Sequence, residues 1–237
     1  MQLVDQAITN TTSAIKKNQS IDWSSMLDLI HLTNMESSLQ NQYQNASNIS
    51  ARINLHTLYS TNKEGWFPWV FREMMEIFQR NRSDSTVSIG EPRTVHSPTY
   101  SILELGCGDG SLWVQNYDAI PSNTTITLSD ISTGMLRDAK RNIDTQKTAR
   151  KESAYERAIS QKSAFKIRYK AFDCTSIPYE DDSFDLIIAN HVLFYCDDLD
   201  AVLSEVQRVL KPNGYFMCST YGSDHMQEIN QLVHMFD

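Results

Sequence analysis

A chain of 237 residues, 41% of them hydrophobic, is long enough to bury one sizeable core with a helical segment appended to it. Its net charge of −8 weighs against broad electrostatic binding to nucleic acid or to an anionic membrane, because neutralising phosphates takes a surplus of Lys and Arg. No apolar run reaches membrane-spanning length, and the opening MQLVDQAITN lacks the basic and apolar regions of a secretory leader, so a soluble, cytoplasmic protein is expected.

The four cysteines, Cys107, Cys174, Cys196 and Cys218, form no C-x-x-C pair, so neither a disulfide framework nor a metal site is indicated and reduced, mostly buried thiols are expected. Charge is unevenly placed. Between Arg137 and Lys170 lie 11 of the 21 basic residues against four acids, which reads as the solvated face of a helix or as a patch for an anionic substrate.

Residues 1–80 read as an N-terminal helical segment. Within its polar first part, Trp23, Met26, Leu27 and Ile30 recur at helical steps. From Ala51 to Gln79 the pattern is helical again, broken by a turn-prone stretch at 60–65 and followed by the aromatic cluster Trp66, Phe67, Trp69 and Phe71, a lid or flank for a site. Residues 81–98, rich in Ser, Thr, Pro and Gly, read as a linker, and residues 99–237 as the main domain. In that domain short apolar runs at 100–105, 124–130, 166–172, 184–190 and 214–220 alternate with helical stretches at 135–161 and 199–210. The alternation predicts an α/β fold, a doubly wound, mostly parallel Rossmann-like sheet with five evident strands, whose ligands sit at the carboxyl ends of the strands.

The segment ILELGCGDGS (102–111) carries the most information. An apolar strand holds Glu104 near its end, and glycines follow at 106, 108 and 110, where a tight turn and close backbone approach to a ligand are possible. The spacing is not the dinucleotide fingerprint G-x-G-x-x-G. A carboxylate beside this loop would repel a pyrophosphate and suit an ammonium group, which favours a nucleoside bearing an amino acid. Twenty residues beyond Gly110, the second strand ends in Asp130, placed to accept hydrogen bonds from both hydroxyls of a ribose.

These residues resemble class I S-adenosylmethionine-dependent methyltransferases, in particular the type 11 group that includes quinone-biosynthesis methyltransferases, over residues 100–222. The resemblance implies that Glu104, Gly106, Cys107, Gly108 and Gly110 hold the methionine part of S-adenosylmethionine, that Asp130 holds the ribose and that Ile131 touches the adenine. Phe172, Asp173 and Cys174 resemble the segment where a carboxylate and the next backbone N–H read the adenine edge, with a mere turn cap at Asp173 as the alternative. SFDLIIANHVLFY (183–195) resembles the fourth strand and its loop, which puts Asn190, His191 and Tyr195 near the transferred methyl group. RVLKPNGYF (208–216) resembles a fold signature in which Pro212, Asn213 and Gly214 form a turn. By analogy with N-terminal lids, Tyr59 and Trp66 join the cofactor-binding candidates, with core packing as the alternative.

Methyl transfer from a sulfonium is an in-line displacement that asks mainly for alignment. A general base is needed only when the acceptor must lose a proton, and His191 comes first for that role, then Tyr195, with His225 behind them. The expected function is methyl transfer to a small-molecule acceptor. The alternatives are an inactive cofactor-binding or protein-interaction module and, more remotely, a nucleotide-dependent oxidoreductase. The family's sheet has seven strands, and residues 221–237 read as a loop and one helix, so either the chain is a truncated form or the last two strands are absent. An open sheet edge would then allow a homodimer.

Overall fold

The computed structural model describes residue 58 and residues 63–84, 99–152 and 165–220. The expected helices before residue 58, Tyr59, most of the linker, and 221–237 with His225 lie outside the described residues.

The first element is helix α1 (Trp66–Asp84). It starts after Gly65, whose φ is +80°, and Pro68 falls in its first turn, where a missing N–H costs nothing. The helix runs past Gln79 to Asp84, into the stretch read as linker. Then follow β1 (Tyr100–Leu105), α2 (Ser111–Gln115), β2 (Thr124–Asp130), α3 (Thr133–Glu152), β3 (Lys166–Ala171), β4 (Phe184–Asn190), α4 (Leu199–Val209) and β5 (Leu210–Ser219). Short 3-10 turns lie at Tyr117–Ala119 and Leu193–Tyr195.

The strands form one sheet in the order β3-β2-β1-β4-β5, and every described pairing is parallel. Parallel strands covered on both faces are apolar almost throughout, and β1, β2 and β4 are buried over four successive residues each. By contrast β3 is an edge, largely exposed, with Lys166, Arg168 and Lys170 outward, a composition that discourages further strand pairing.

Period-two alternation along β1 separates two cores. Leu103 and Leu105 face a cluster with Leu199, Val202, Val206 and Val209 of α4. Ile102 faces the other cluster, with Val70, Phe71, Met74 and Phe78 of α1, Trp113 of α2 and Leu136, Ala139 and Ile143 of α3. Helix starts are capped as their sequences allow. The Asp198 carboxylate accepts from the N–H of Ala201 at 2.9 Å ahead of α4, and Ser132 Oγ accepts from the N–H of Met135 at 3.3 Å ahead of α3.

Residues 212–214, expected as a turn before the fifth strand, lie inside β5. Phe184 pairs with Leu210 and Leu186 already pairs with Tyr215, so the intervening residues bulge out of the ladder, with Asn213 at φ +64°. At Gly214 a methyl group would lie 2.9 Å from both Leu210 Cγ and the Lys211 carbonyl oxygen. Gly214→Ala is therefore expected to destabilise the protein by about 1–3 kcal/mol, the ordinary cost of overpacking, seen as a lower urea midpoint at unchanged slope.

Candidate active site

The carboxyl ends of β1, β2 and β4 converge on one rim. At the end of β1 the chain turns through Gly106, Gly108 and Gly110, with φ of +65°, +55° and +76°. Gly106 requires its glycine twice over: the left-handed φ, and a methyl group there would come within 2.4 Å of Val192 Cγ2. This contact presses the loop after β1 against the loop after β4.

The turn is tied to β2 through its backbone. Cys107 donates its N–H to the Ser129 carbonyl at 2.8 Å, and Gly108 donates to Asp130 Oδ2 at 3.1 Å. Asp130 Oδ1 accepts from the N–H of Ser132 at 2.8 Å. Burial raises the Asp130 pKa, while these two backbone donors oppose the rise. A carboxylate has about four lone-pair sites, so two backbone bonds leave acceptor capacity for hydroxyl donors. Beside it Ile131 is 74% exposed.

Glu104 stands differently from what its strand-end position suggests. It shares a face with Ile102, under α2, and is 2% exposed. Its Oε2 accepts from Trp113 Nε1 at 2.6 Å. Burial pushes the carboxyl up to about 8 from 4.5, Trp113 partly offsets this, and the nearby charges of Asp130 and Asp109 add to it. A value near 8 leaves the acid mostly protonated around neutral pH. Trp113, nine residues downstream, gave no sign of this role in the sequence, since its indole reads as core.

At the end of β4, Asn190 Oδ1 accepts from Trp66 Nε1 at 3.0 Å and from Ser219 Oγ at 2.8 Å. His191 donates its backbone N–H to Ser219 Oγ at 2.9 Å, and its ring lies 4.7 Å from that of Trp66. Its φ of +55° is uncommon for a residue with a side chain. Ser219 was missed, although its place at the end of β5 follows the same strand-end logic as Asp130. Tyr195 packs at 4.3 Å against Phe194 and leans on the α4 core. After β3, Asp173 Oδ1 accepts from both the N–H and the hydroxyl of Thr175, at 2.9 and 2.8 Å, so the turn-capping alternative is realised there. Cys174 Sγ lies 3.5 Å from Cys196 Sγ.

Among the described residues no cluster of His, Cys, Asp or Glu could hold a metal ion, and no helix is long and apolar enough to cross a membrane. The basic stretch is partly neutralised along α3: Arg141 pairs with Asp138 at 2.8 Å, Lys140 with Asp144, and Arg150 with Asp118.

Residues 103–218 match the family model described as Methyltransferase domain. This stretch is a methyltransferase domain. S-adenosylmethionine is the cofactor such domains use, and the glycine turn, Asp130 and the exposed Ile131 suit an amino acid, a ribose and an adenine in turn. Similar proteins include a malonyl-[acyl-carrier protein] O-methyltransferase of Nitrosospira multiformis, 30% identical over 57% of this chain and 43% of its own length. A sterol 4-C-methyltransferase of Caenorhabditis elegans is 27% identical over 56% of this chain and 36% of its own. A SAM-dependent methyltransferase structure from Methanosarcina mazei is 24% identical, with a TM-score of 0.43 over 57% of this chain and 59% of that one. The chain thus spans less than half the length of those two relatives.

Glu104 has a signature in pH. The folded protein keeps a proton on it up to about pH 8, whereas an unfolded glutamate loses its own near 4.5. Its stabilising contribution is complete below the lower value and is lost as the pH climbs to the upper one. Glu104→Gln retains the shape and the acceptor for Trp113. Relative to the parent, the variant is expected to gain on the order of a few kcal/mol across that interval, measured by urea unfolding at a series of pH values.

Proposed function

We propose that this protein is an S-adenosylmethionine-dependent methyltransferase acting on a small-molecule acceptor by in-line transfer. The observation that carries the proposal is the joining of two strand ends at Asp130, whose carboxylate takes the Gly108 N–H while keeping lone pairs for hydroxyl groups. The cofactor supplies, when bound, a methyl group already activated by its positive sulfur.

The chain's own residues then have four tasks. The glycine turn and Glu104 receive the amino-acid part, Glu104 ionising as the ammonium enters. Asp130 orients the ribose. Ile131 and the backbone around Asp173 and Cys174 flank the adenine. Asn190, His191 and Trp66 form the wall the acceptor meets, with Trp66 closing it from the side of α1. His191 is the candidate base if the acceptor arrives protonated, and Tyr195 is second to it. An acceptor that arrives ionised, such as a carboxylate, would need neither.

Which acceptor is used does not travel with the domain. Of the two relatives above, one is named for transfer to oxygen and the other for transfer to carbon. Small-molecule chemistry remains the best reading because the net charge of −8 weighs against a polyanion and the basic stretch is partly paired along α3. A homodimer through the outer edge of β5, the edge strand on that side among the described residues, is compatible with this scheme.

Calorimetry with S-adenosylhomocysteine is expected to give saturable one-site binding, weakened by about 10–100-fold in Asp130→Ala, the scale of a charged hydrogen bond. Equal affinity in both proteins would remove the ribose assignment. Binding without methyl transfer across an acceptor panel would instead mark a silent module. For an acceptor that must lose a proton, His191→Asn, which tolerates the left-handed backbone, is expected to lower kcat by ~10²–10⁴-fold at unchanged cofactor affinity.

A further inference from the structure

Two thiols touch beside the rim. Cys174 Sγ and Cys196 Sγ are 3.5 Å apart, although 22 residues separate them in sequence. Cys174 follows Asp173 in the loop after β3, and Cys196 closes the 3-10 turn Leu193–Tyr195, its N–H donating to the Leu193 carbonyl at 3.1 Å. Both are half-buried, whereas Cys107 and Cys218 are fully buried.

We propose that Cys174 and Cys196 form a dithiol modification site that a low-molecular-weight disulfide converts reversibly to an intramolecular disulfide, and that closure distorts the adenine side of the cofactor pocket. The second half rests on the assignment of Asp173 and Cys174 to that pocket. A disulfide bond is about 2.05 Å long, so the sulfurs must approach by roughly 1.5 Å. That movement falls on a tight turn. Asp173 Oδ1 holds the N–H and hydroxyl of Thr175, and its carbonyl accepts from Ser176 at 3.0 Å, so Cys174 cannot shift without carrying Asp173 along.

The two sulfurs are not equivalent. The contact with Cys196 holds the Cys174 thiol below its ordinary pKa against the opposing effect of burial. The same contact and burial hold Cys196 high. Burial pushes Cys218 up to about 12 and Cys107 well above the thiol range, so neither competes as a thiolate. Cys174 therefore attacks first. Its thiolate displaces one thiolate from the external disulfide and forms a mixed disulfide, and the released group leaves as a thiol with the proton Cys174 gave up. Cys196 then loses its proton and attacks Cys174 Sγ, expelling the second half as a thiol. Two electrons pass from the cysteine pair to the external disulfide, which becomes two thiols.

The test treats the full chain with oxidised glutathione, maps the cysteines by mass spectrometry, and measures S-adenosylhomocysteine affinity before treatment, after it, and after dithiothreitol. The expected result is a Cys174–Cys196 disulfide with Cys107 and Cys218 still reduced. Affinity should fall by about tenfold, the scale of one hydrogen bond, and return on reduction. Cys196→Ser should match the parent's affinity when reduced and, when treated, stop at a single glutathione adduct on Cys174. Absence of the disulfide, or modification of Cys107 or Cys218 ahead of the pair, overturns the site. A disulfide formed at unchanged affinity overturns the link to the pocket. Failure of the reduced protein to bind S-adenosylhomocysteine at all would count against the functional reading above and against the coupling, while the mass map still decides the thiol chemistry on its own.

Discussion

Gly106 runs so close to Val192 that no side chain fits between them, and this closeness arranges everything around it. It sets the loop after β1 against the loop after β4, so the glycine turn, Asn190 and His191 share one rim. The parallel register does the rest. Glu104 pairs with Ile188 on one side and Leu128 on the other, which brings three strand ends to the same height. A larger residue at 106 would push these loops apart, and the groups brought together by the sheet would no longer face one space.

The rim is acidic for a physical reason that its hydrogen bonds make visible. Glu104, Asp130 and Asp109 lie near one another and raise the Glu104 pKa through their mutual repulsion, after burial has already raised it. The hydrogen bonds described for these carboxylates come from Trp113, Gly108, Ser132 and Ser111, all neutral donors. Neutral donors satisfy geometry without supplying a counter-charge, so burial and the neighbouring carboxylates together favour the protonated form of Glu104.

Helix α1 joins this acidic cluster to the end of β4. Its buried face, through Phe71 and Phe78, packs on Trp113 and Tyr100 at 6.4 and 4.2 Å, so its position over the sheet is fixed by the same core that buries Glu104. Trp66 at its start then reaches Asn190 and the His191 ring. One helix therefore packs on the core around Glu104 with its middle and reaches the end of β4 with its start.

By itself the sequence determined the kind of fold and where its strands end. Alternating apolar runs specify a parallel sheet because a strand buried on both faces must be apolar throughout, and 100–105, 124–130 and 184–190 coincide with β1, β2 and β4. Strand-end residues such as Glu104, Asp130 and Asn190 were legible for the same reason. Tertiary structure alone decided where those side chains point and what they meet. A period of two assigns Glu104 to a face, but only the packing of α2 puts Trp113 there and buries the carboxyl, which raises its pKa. Likewise Pro212-Asn213-Gly214 specifies a break in local geometry, while the neighbouring β4 makes that break a bulge within β5. Ser219 beneath Asn190, and Cys174 against Cys196, are contacts between distant stretches of chain, which no local pattern can encode because they exist only once the sheet has brought its ends together.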